Sequence, residues 1–236
     1  MFKLLRKLNL PTKITLARIA LLPLILFFYI SGFCFDVVFF ENWGKLIALI
    51  LFIIAAGTDW VDGFIARKYN MVTDLGKFLD PAADKMLTNL GFLLILSDIV
   101  LFNEIAFPYW FAVVSIFVIF SRDTITDSLR FIAAKQDIVI AASSLGKIKT
   151  TMQLVAIALY MLFAFNLNPA TAFITGAPWL DIFTYLCLFI MVAATVLTVW
   201  SGTDYVRNYM KSLKEKNATK EENKENGNGT KDNGEK

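Results

Sequence analysis

Long apolar stretches alternate with short polar connections along most of this chain. About 20 apolar residues in helical form are needed to cross the hydrocarbon core of a bilayer. Six segments meet this requirement, at about residues 14–32, 45–66, 77–101, 107–133, 147–167 and 180–203. The pattern predicts an all-α integral membrane protein with six transmembrane helices.

The two ends of the chain depart from this pattern. Residues 1–10 mix large apolar side chains with basic ones, which favours a short N-terminal interfacial helix on the membrane surface. A basic flank that only sets the topology is an equally good interpretation. Residues 211–236 are rich in Lys, Glu, Asn and Gly, which is typical of a disordered tail. We expect one membrane domain over residues 1–210, followed by a polar cytoplasmic tail.

Composition agrees with a membrane location and narrows the possible chemistry. Hydrophobic residues make up 57% of the chain and charged residues 18%, a more apolar balance than in soluble domains. The sequence contains no histidine, which excludes a Ser-His-Asp triad and imidazole metal ligands. Any catalysis must therefore use carboxylates, Lys or Arg, hydroxyl groups or the backbone.

Basic residues mark one side of the predicted helix bundle. All 23 Lys and Arg residues except Lys45 fall at the termini or in the connection regions on the same side as the termini, including the adjoining parts of the segments. Because basic residues collect in cytoplasmic loops, both termini are predicted to be cytoplasmic. We expect a multi-pass protein of the cell membrane, with no nucleic-acid partner.

Four aspartates lie near the predicted cytoplasmic ends of the second and third segments. Asp59 and Asp62 are three residues apart, and Asp80 and Asp84 are four apart, so each pair shares a helix face. A short connection makes these two helices antiparallel neighbours, and the four carboxylates are expected to converge near the cytoplasmic face. Such a concentration of negative charge requires compensation. Oxygen ligands without His or Cys favour Mg²⁺ or Mn²⁺, and two ions would balance the four charges.

Neighbouring residues fit a phosphate ligand. Gly63 would let a ligand approach the helix backbone, and Gly76 would either do the same or shape the loop. Arg67 would pair readily with a phosphate. For any single aspartate, a salt bridge between helices, such as one from Arg67 to Asp62, is the alternative interpretation.

The same stretch resembles a known family. Residues 59–84 fit the pattern DxxDGxxARx8GxxxDxxxD, and the chain is therefore similar to the CDP-alcohol phosphotransferases. The fixed positions are Asp59, Asp62, Gly63, Ala66, Arg67, Gly76, Asp80 and Asp84. Members of that family are six-span membrane proteins with both termini in the cytoplasm, which agrees with the topology expected here.

The resemblance implies an activity and assigns roles to residues. It implies transfer of a phosphatidyl group from CDP-diacylglycerol to an alcohol, with release of CMP, by a homodimer in contact with membrane lipids. Asp59, Asp62 and Asp80 are implied to be metal ligands, and Asp84 to be the general base that also contributes to the second ion. The residues implied to bind the CDP-linked lipid are Gly63, Arg67, Gly76, Thr15 and Arg18.

Basic residues of the fourth and fifth segments favour an anionic acceptor. Arg122 lies in an otherwise apolar segment, where a charge usually faces a cavity or a partner. Arg130 and Lys147 lie on the same cytoplasmic side, so we expect all three residues to bind the acceptor phosphate. Contacts with lipid headgroups are the alternative. Residues 122–134 and 140–153 also resemble family members that use glycerol 3-phosphate as the acceptor.

Two other functions stay open at this point. The same chemistry with another acceptor would give a cardiolipin, phosphatidylserine or phosphatidylinositol-phosphate synthase. Carboxylates inside a membrane protein could instead carry ions in a cation- or proton-coupled transporter. The clustering of all four aspartates at one face favours a fixed catalytic site over transport.

Overall fold

The computed structural model describes residues 9–35, 37–69, 74–98, 109–136, 144–167 and 177–229. Over these residues the regular elements are α-helices, with no strand among them. The helices are α1 (Leu10–Cys34), α2 (Val38–Lys68), α3 (Asp74–Ser97), α4 (Tyr109–Lys135), α5 (Ser144–Asn166) and α6 (Ala177–Gly229). Each of the six expected apolar segments coincides with one helix, and the all-α class is confirmed for the described part of the chain.

The described helices divide into two units. Unit 1 contains the described residues of Met1–Ile116 and Thr151–Ala194, and unit 2 those of Phe117–Thr150 and Thr195–Lys236. Unit 1 therefore includes α1, α2 and α3 with parts of the later helices. Unit 2 consists of the remaining parts of α4, α5 and α6.

In unit 1, α1 and α2 form an antiparallel pair. Phe28 lies beside Gly44 at one end of the pair, and Arg18 contacts Asp59 at the other. A Cβ atom on Gly44 would lie 2.5 Å from the Phe28 carbonyl oxygen, so this close approach requires glycine. The absence of a side chain at this position allows the two helix backbones to meet.

Helix α3 runs parallel to α1 in the same unit. Thr15 contacts Asp80 near the beginning of both helices, and Tyr29 contacts Asp98 near the end of both. Polar contacts therefore fix the register between α1 and α3 at two levels. The three helices alternate in direction, as expected for successive crossings of a membrane.

The parts of α5 and α6 in unit 1 are antiparallel to each other. The rings of Phe163 and Phe183 lie 5.9 Å apart, and Cys187 Sγ lies 3.7 Å from the Leu159 carbonyl oxygen. Residue numbers fall along α5 as they rise along α6. These two successive helices therefore point in opposite directions.

In unit 2, α4 and α6 run parallel. Arg122 donates a hydrogen bond to Ser201 at 2.8 Å, and further along Lys216 Nζ donates to the carbonyl oxygen of Gln136. Residue numbers therefore rise together along the two helices. Helices separated by one intervening crossing are expected to point the same way.

Several helices have the character of membrane spans. Four stretches are long and apolar enough to cross a bilayer, namely Leu10–Gly32, Val38–Asp59, Ile148–Asn166 and Asp181–Lys214. Large apolar side chains, including Phe117, Phe189 and Trp200, are exposed on the helix surfaces, as expected where lipid covers them. Charged residues interrupt the apolar surface of α3 and α4, which lowers their mean hydropathy. The structure thus agrees with a helical membrane protein.

The C-terminal region differs from the expectation of disorder. Residues 211–229 continue α6, which reaches Gly229 and is 53 residues long. Lys and Glu are good helix formers, and extending an existing helix avoids the cost of nucleation. Residues 230–236, and residues 1–8 of the expected interfacial helix, lie outside the described residues.

Candidate functional site

One turn of α1 contacts two of the four motif aspartates. Thr15 and Arg18 are three residues apart and therefore lie on the same face of the helix. Thr15 Oγ1 donates a hydrogen bond to Asp80 Oδ1 at 2.7 Å, and Arg18 Nη1 contacts Asp59 Oδ1 at 2.7 Å. The second and third helices thus bring one carboxylate each to this turn, as the predicted convergence requires.

The Arg18–Asp59 ion pair is buried on one side only. The Arg18 side chain is 0% exposed, whereas the Asp59 side chain is 49% exposed. Arg18 Nε also donates to Thr58 Oγ1 at 3.3 Å, which helps to fix the guanidinium. A fixed cation beneath an accessible carboxylate orients that carboxylate and offsets part of its charge.

Asp80 and Asp84 occupy successive turns of α3, and both are partly buried. Thr15 is fully buried, and its Oγ1 also lies 3.2 Å from the carbonyl oxygen of Pro11 in α1. Its hydroxyl is therefore positioned by its own helix as well as by Asp80. The helix confirms that the two aspartates share a face. Gly76 is buried in the first turn of α3, so it lies inside the helix and not in the loop.

Other motif residues lie outside the described side chains. Asp62, Gly63 and Arg67 belong to the helical backbone of α2, but their side-chain environment is not part of the description. Over the side chains that are described, which leave out Asp62, no three acidic groups come close enough to share a metal ion. The four-aspartate metal site therefore stays a prediction.

A second polar network lies in unit 2, around Asp123. Asp123 Oδ1 lies 2.9 Å from Arg122 Nη1 and 2.6 Å from Lys149 Nζ. Arg122 Nη2 donates to Ser201 Oγ at 2.8 Å, and the Lys149 side chain is only 7% exposed. Two cations thus share one carboxylate, which leaves this network with a net positive charge suited to an anion.

Gly202 gives the Arg122 side chain its space. A Cβ atom at residue 202 would lie 2.8 Å from Arg122 Cγ and 3.2 Å from its Nε. The first distance is shorter than real Cβ atoms show, the second is tight, and Cγ cannot move away as the tip of the side chain could. The observed position of Arg122 therefore requires glycine next to Ser201.

Of the other two residues expected to bind the acceptor phosphate, the structure describes the side chain of only one. Arg130 is exposed, and its guanidinium carbon lies 6.0 Å from the centre of the Tyr205 ring in unit 2. The side chain of Lys147 lies outside the described residues. Lys149, two residues later, is the lysine observed in the Asp123 network.

Asp123, Ser201 and Tyr205 are polar residues of unit 2 that sequence reasoning did not select. The adjacent opposite charges of Arg122 and Asp123 in an apolar segment were a usable signal for the first of them. Ser201 and Tyr205 had no such signal, because serine and tyrosine are common in membrane helices whether or not they bind a ligand. Only the pairing of α4 with α6 brings Ser201 to Arg122.

Comparisons with known proteins agree with these features. The sequence profile of the CDP-alcohol phosphatidyltransferase family matches residues 8–200. A Bacillus subtilis protein named CDP-diacylglycerol–glycerol-3-phosphate 3-phosphatidyltransferase is 35% identical over 221 residues, covering 89% of this chain and 99% of the relative. Proteins of the same name from Shigella flexneri and Escherichia coli are each 32% identical over 200 residues, covering 84% of this chain and 93% of each relative. This chain belongs to the CDP-alcohol phosphatidyltransferase family.

Proposed function

We propose that this protein transfers a phosphatidyl group from CDP-diacylglycerol to glycerol 3-phosphate, forming phosphatidylglycerophosphate and CMP. The names of its relatives support this activity. The structural observation that carries the proposal is the turn of α1 at which Thr15 and Arg18 hold Asp80 and Asp59. This turn brings together motif carboxylates from two other helices, the arrangement that a divalent cation bound beside a charged phosphoryl donor would require.

The donor set suits a hard divalent cation. Asp59, Asp62, Asp80 and Asp84 offer only carboxylate oxygens, the ligands that Mg²⁺ and Mn²⁺ prefer. Arg18 contacts one oxygen of Asp59, and Thr15 contacts one oxygen of Asp80. Each carboxylate still has a second oxygen that can bind a ligand. Two ions held here would polarise the phosphoryl oxygens and offset the charge of the departing CMP.

Asp84 acts as the general base in this proposal. The terminal hydroxyl of glycerol 3-phosphate attacks the phosphorus that carries diacylglycerol, and its proton passes to the Asp84 carboxylate. A bond forms between the acceptor oxygen and that phosphorus while the bond to the bridging diphosphate oxygen breaks. CMP leaves with the electron pair of the broken bond.

The remaining residues bind the two substrates. Gly63, Arg67 and Gly76 receive the cytidine diphosphate, with Arg67 pairing with a phosphate. Thr15 and Arg18 serve the same substrate indirectly by positioning Asp80 and Asp59, because both are buried against those carboxylates.

The acceptor phosphate binds to basic residues. Arg122, Arg130 and Lys147 are the proposed ligands, and Lys149 contributes through the Asp123 network. A phosphomonoester carries close to two negative charges at neutral pH, so it matches a group in which cations outnumber carboxylates. A neutral acceptor would gain little from such a group.

The proposed topology has six membrane spans with both termini in the cytoplasm. The alternating directions of α1, α2 and α3, and the antiparallel pairing of α5 with α6, support it. The distribution of basic residues then places the motif aspartates near the cytoplasmic face of the cell membrane. We also propose that the enzyme works as a homodimer among membrane lipids.

Release of CMP by the purified full-length protein tests the function. The protein is given CDP-diacylglycerol, Mg²⁺ and one candidate alcohol at a time. Release with glycerol 3-phosphate supports the proposal, and release only with another alcohol assigns a different acceptor. No release with any alcohol, from protein that is demonstrably folded, contradicts the transferase activity and favours ion transport.

The role of Asp84 has its own test. Asp84→Asn keeps the size of the side chain but removes the basic carboxylate, so CMP release is expected to be almost abolished while binding of CDP-diacylglycerol is still measurable. Asp181→Asn, at an exposed position of α6, is the matched control and is expected to keep full activity. Turnover of Asp84→Asn within a few fold of the parent would show that Asp84 is not the base.

A further inference from the structure

Two buried polar atoms of unit 2 have no hydrogen-bond partner among the described residues. They are the hydroxyl oxygen of Tyr205 and the Nε atom of Arg122. Tyr205 as a whole is only 7% exposed. A buried polar atom without a partner is unfavourable and is rare in native structures, so each such atom requires an explanation. A ligand that binds next to it is one such explanation.

The Tyr205 ring is held in place although its hydroxyl is not. The guanidinium carbon of Arg130 lies 6.0 Å from the ring centre, within the range of a cation–π contact. Ser201 precedes Tyr205 by four residues on α6, so the two share a helix face, and Ser201 binds Arg122. Tyr205 thus belongs to the group of side chains that includes two of the proposed acceptor-binding arginines.

The chemistry of this group points to an anionic oxygen. Arg122, Arg130 and Lys149 supply three positive charges, and Asp123 supplies one negative charge. A phenol hydroxyl and a guanidinium N–H are both hydrogen-bond donors. A phosphate group offers several acceptor oxygens and negative charge, so it would satisfy both unpartnered atoms at once.

We propose that the Tyr205 hydroxyl donates a hydrogen bond to a phosphate oxygen of the acceptor, beside the N–H of Arg122 Nε. This inference rests on the proposed function, because it takes the acceptor to be glycerol 3-phosphate. The phosphate of a lipid offers the same oxygen chemistry. Separate measurements for the acceptor and for the lipid donor distinguish the two sources.

Tyr205→Phe in the full-length enzyme is the central experiment. The change removes one oxygen and keeps the ring under Arg130. We expect the KM for glycerol 3-phosphate to rise about ten-fold, the effect of losing one hydrogen bond to a charged group. The KM for CDP-diacylglycerol is expected to be unchanged.

Tyr209→Phe is the matched control. Tyr209 is also buried, at 8% exposure, and lies one turn further along α6. Its hydroxyl is not one of the unpartnered atoms. We expect this variant to keep both KM values, because it makes the same chemical change outside the proposed phosphate contact.

Thermal unfolding with and without inorganic phosphate separates binding from stability. Without phosphate, Tyr205→Phe is expected to unfold no earlier than the parent, because the lost hydroxyl makes no hydrogen bond in the described structure. Phosphate is expected to raise the unfolding temperature of the parent and of Tyr209→Phe more than that of Tyr205→Phe. A purely structural role of Tyr205 would instead make Tyr205→Phe unfold earlier than the parent without phosphate, and phosphate would raise the unfolding temperature of all three proteins equally.

Each outcome decides the inference. An unchanged KM for glycerol 3-phosphate in Tyr205→Phe, or a rise only in the KM for CDP-diacylglycerol, overturns it. If the parent releases no CMP with glycerol 3-phosphate, the proposed function fails and the phosphate measurement decides. Stabilisation by phosphate that depends on the Tyr205 hydroxyl then supports the anion site, and stabilisation that is absent or independent of it overturns the site.

Discussion

Two pairs of a cation and a carboxylate lie near opposite ends of α1 in the described part of unit 1. Arg18 contacts Asp59 at 2.7 Å near its beginning, and Lys45 lies 3.5 Å from Asp98 beside Tyr29 near its end. The Asp59 side chain is 49% exposed, whereas the Asp98 side chain is 0% exposed. The first carboxylate is therefore accessible to a ligand, and the second is enclosed by protein.

The surroundings of Asp98 explain what an enclosed pair does. Tyr29 donates to Asp98 Oδ2 at 2.5 Å, and Lys45 also lies 3.5 Å from the carbonyl oxygen of Ala164. Tyr29 of α1 and Lys45 of α2 thus meet at Asp98, directly after α3, and Lys45 connects this contact to the backbone of α5. Such a network specifies how helices pack, because each buried charge requires its partners. The accessible pair at Asp59 instead leaves a carboxylate open to a ligand, as the proposed metal site requires.

Loss of the enclosed charge is expected to have the largest effect. Asp98→Asn leaves Lys45 without its counter-ion, and removal of one partner of a buried ion pair costs about 3 kcal/mol of folding free energy. Unfolding of the protein in detergent measures this cost. The specific activity of the folded fraction is expected to stay at the parental level.

Asp181→Asn is the control for this comparison, since Asp181 is exposed on α6. It is expected to leave the free energy of unfolding unchanged. A loss of activity in fully folded Asp98→Asn would break the distinction between the two pairs, because it would connect the enclosed pair to catalysis.

Loss of the cation at the accessible pair is expected to show the reverse pattern. Arg18→Met keeps much of the buried volume but releases Asp59, and a displaced active-site group typically costs about 100-fold in rate. CMP release measures this loss, and Arg18→Lys should recover part of it. Lys45→Met is the matched change at the enclosed pair and should lower stability while specific activity is kept. Equal losses of activity in the two Met variants would contradict the comparison.

Local patterns predicted much of this architecture. Each of the six apolar segments corresponds to a helix. This could be predicted because an apolar run and the helix that it forms are both properties of a single stretch of chain. The position of Asp80 and Asp84 on one helix face follows from helical periodicity alone. The family motif likewise depends on local spacing alone.

Contacts between distant segments could not be predicted in the same way. Arg18 and Asp59 are far apart in sequence, and no local pattern states which face of α1 meets α2. Lys45 begins the predicted segment 45–66 and Asp98 lies near the end of segment 77–101, yet no local pattern states that the two are joined inside unit 1. The continuation of α6 over residues 211–229 could not be foreseen for a related reason, since the composition of the tail says nothing about the helix that precedes it. The disordered tail itself stays a prediction.

A smaller effect is expected from loss of the hydrogen bond between Thr15 and Asp80, which lies near the accessible Arg18–Asp59 pair. Thr15→Val keeps the shape of the side chain but removes the donor to Asp80, and a hydrogen bond to a charged group corresponds to about ten-fold in rate. Thr15→Ser keeps the hydroxyl and should retain most of the activity. Steady-state CMP release compares the two variants. If valine and serine were equivalent, the Thr15 hydroxyl would have no part in positioning Asp80.

The smallest effect is expected from loss of the hydrogen bond between Tyr29 and Asp98, which belongs to the enclosed Lys45–Asp98 pair. Tyr29→Phe removes the donor to Asp98 Oδ2 but leaves Lys45 in place, so the free energy of unfolding should fall by about 1–2 kcal/mol, less than for Asp98→Asn. CMP release per folded molecule should not change. Combining Tyr29→Phe with Asp98→Asn should cost less than the sum of the two, because both disrupt the same contact. Strict additivity would mean that the hydroxyl and the carboxylate act independently, and the enclosed network would then not be a single unit.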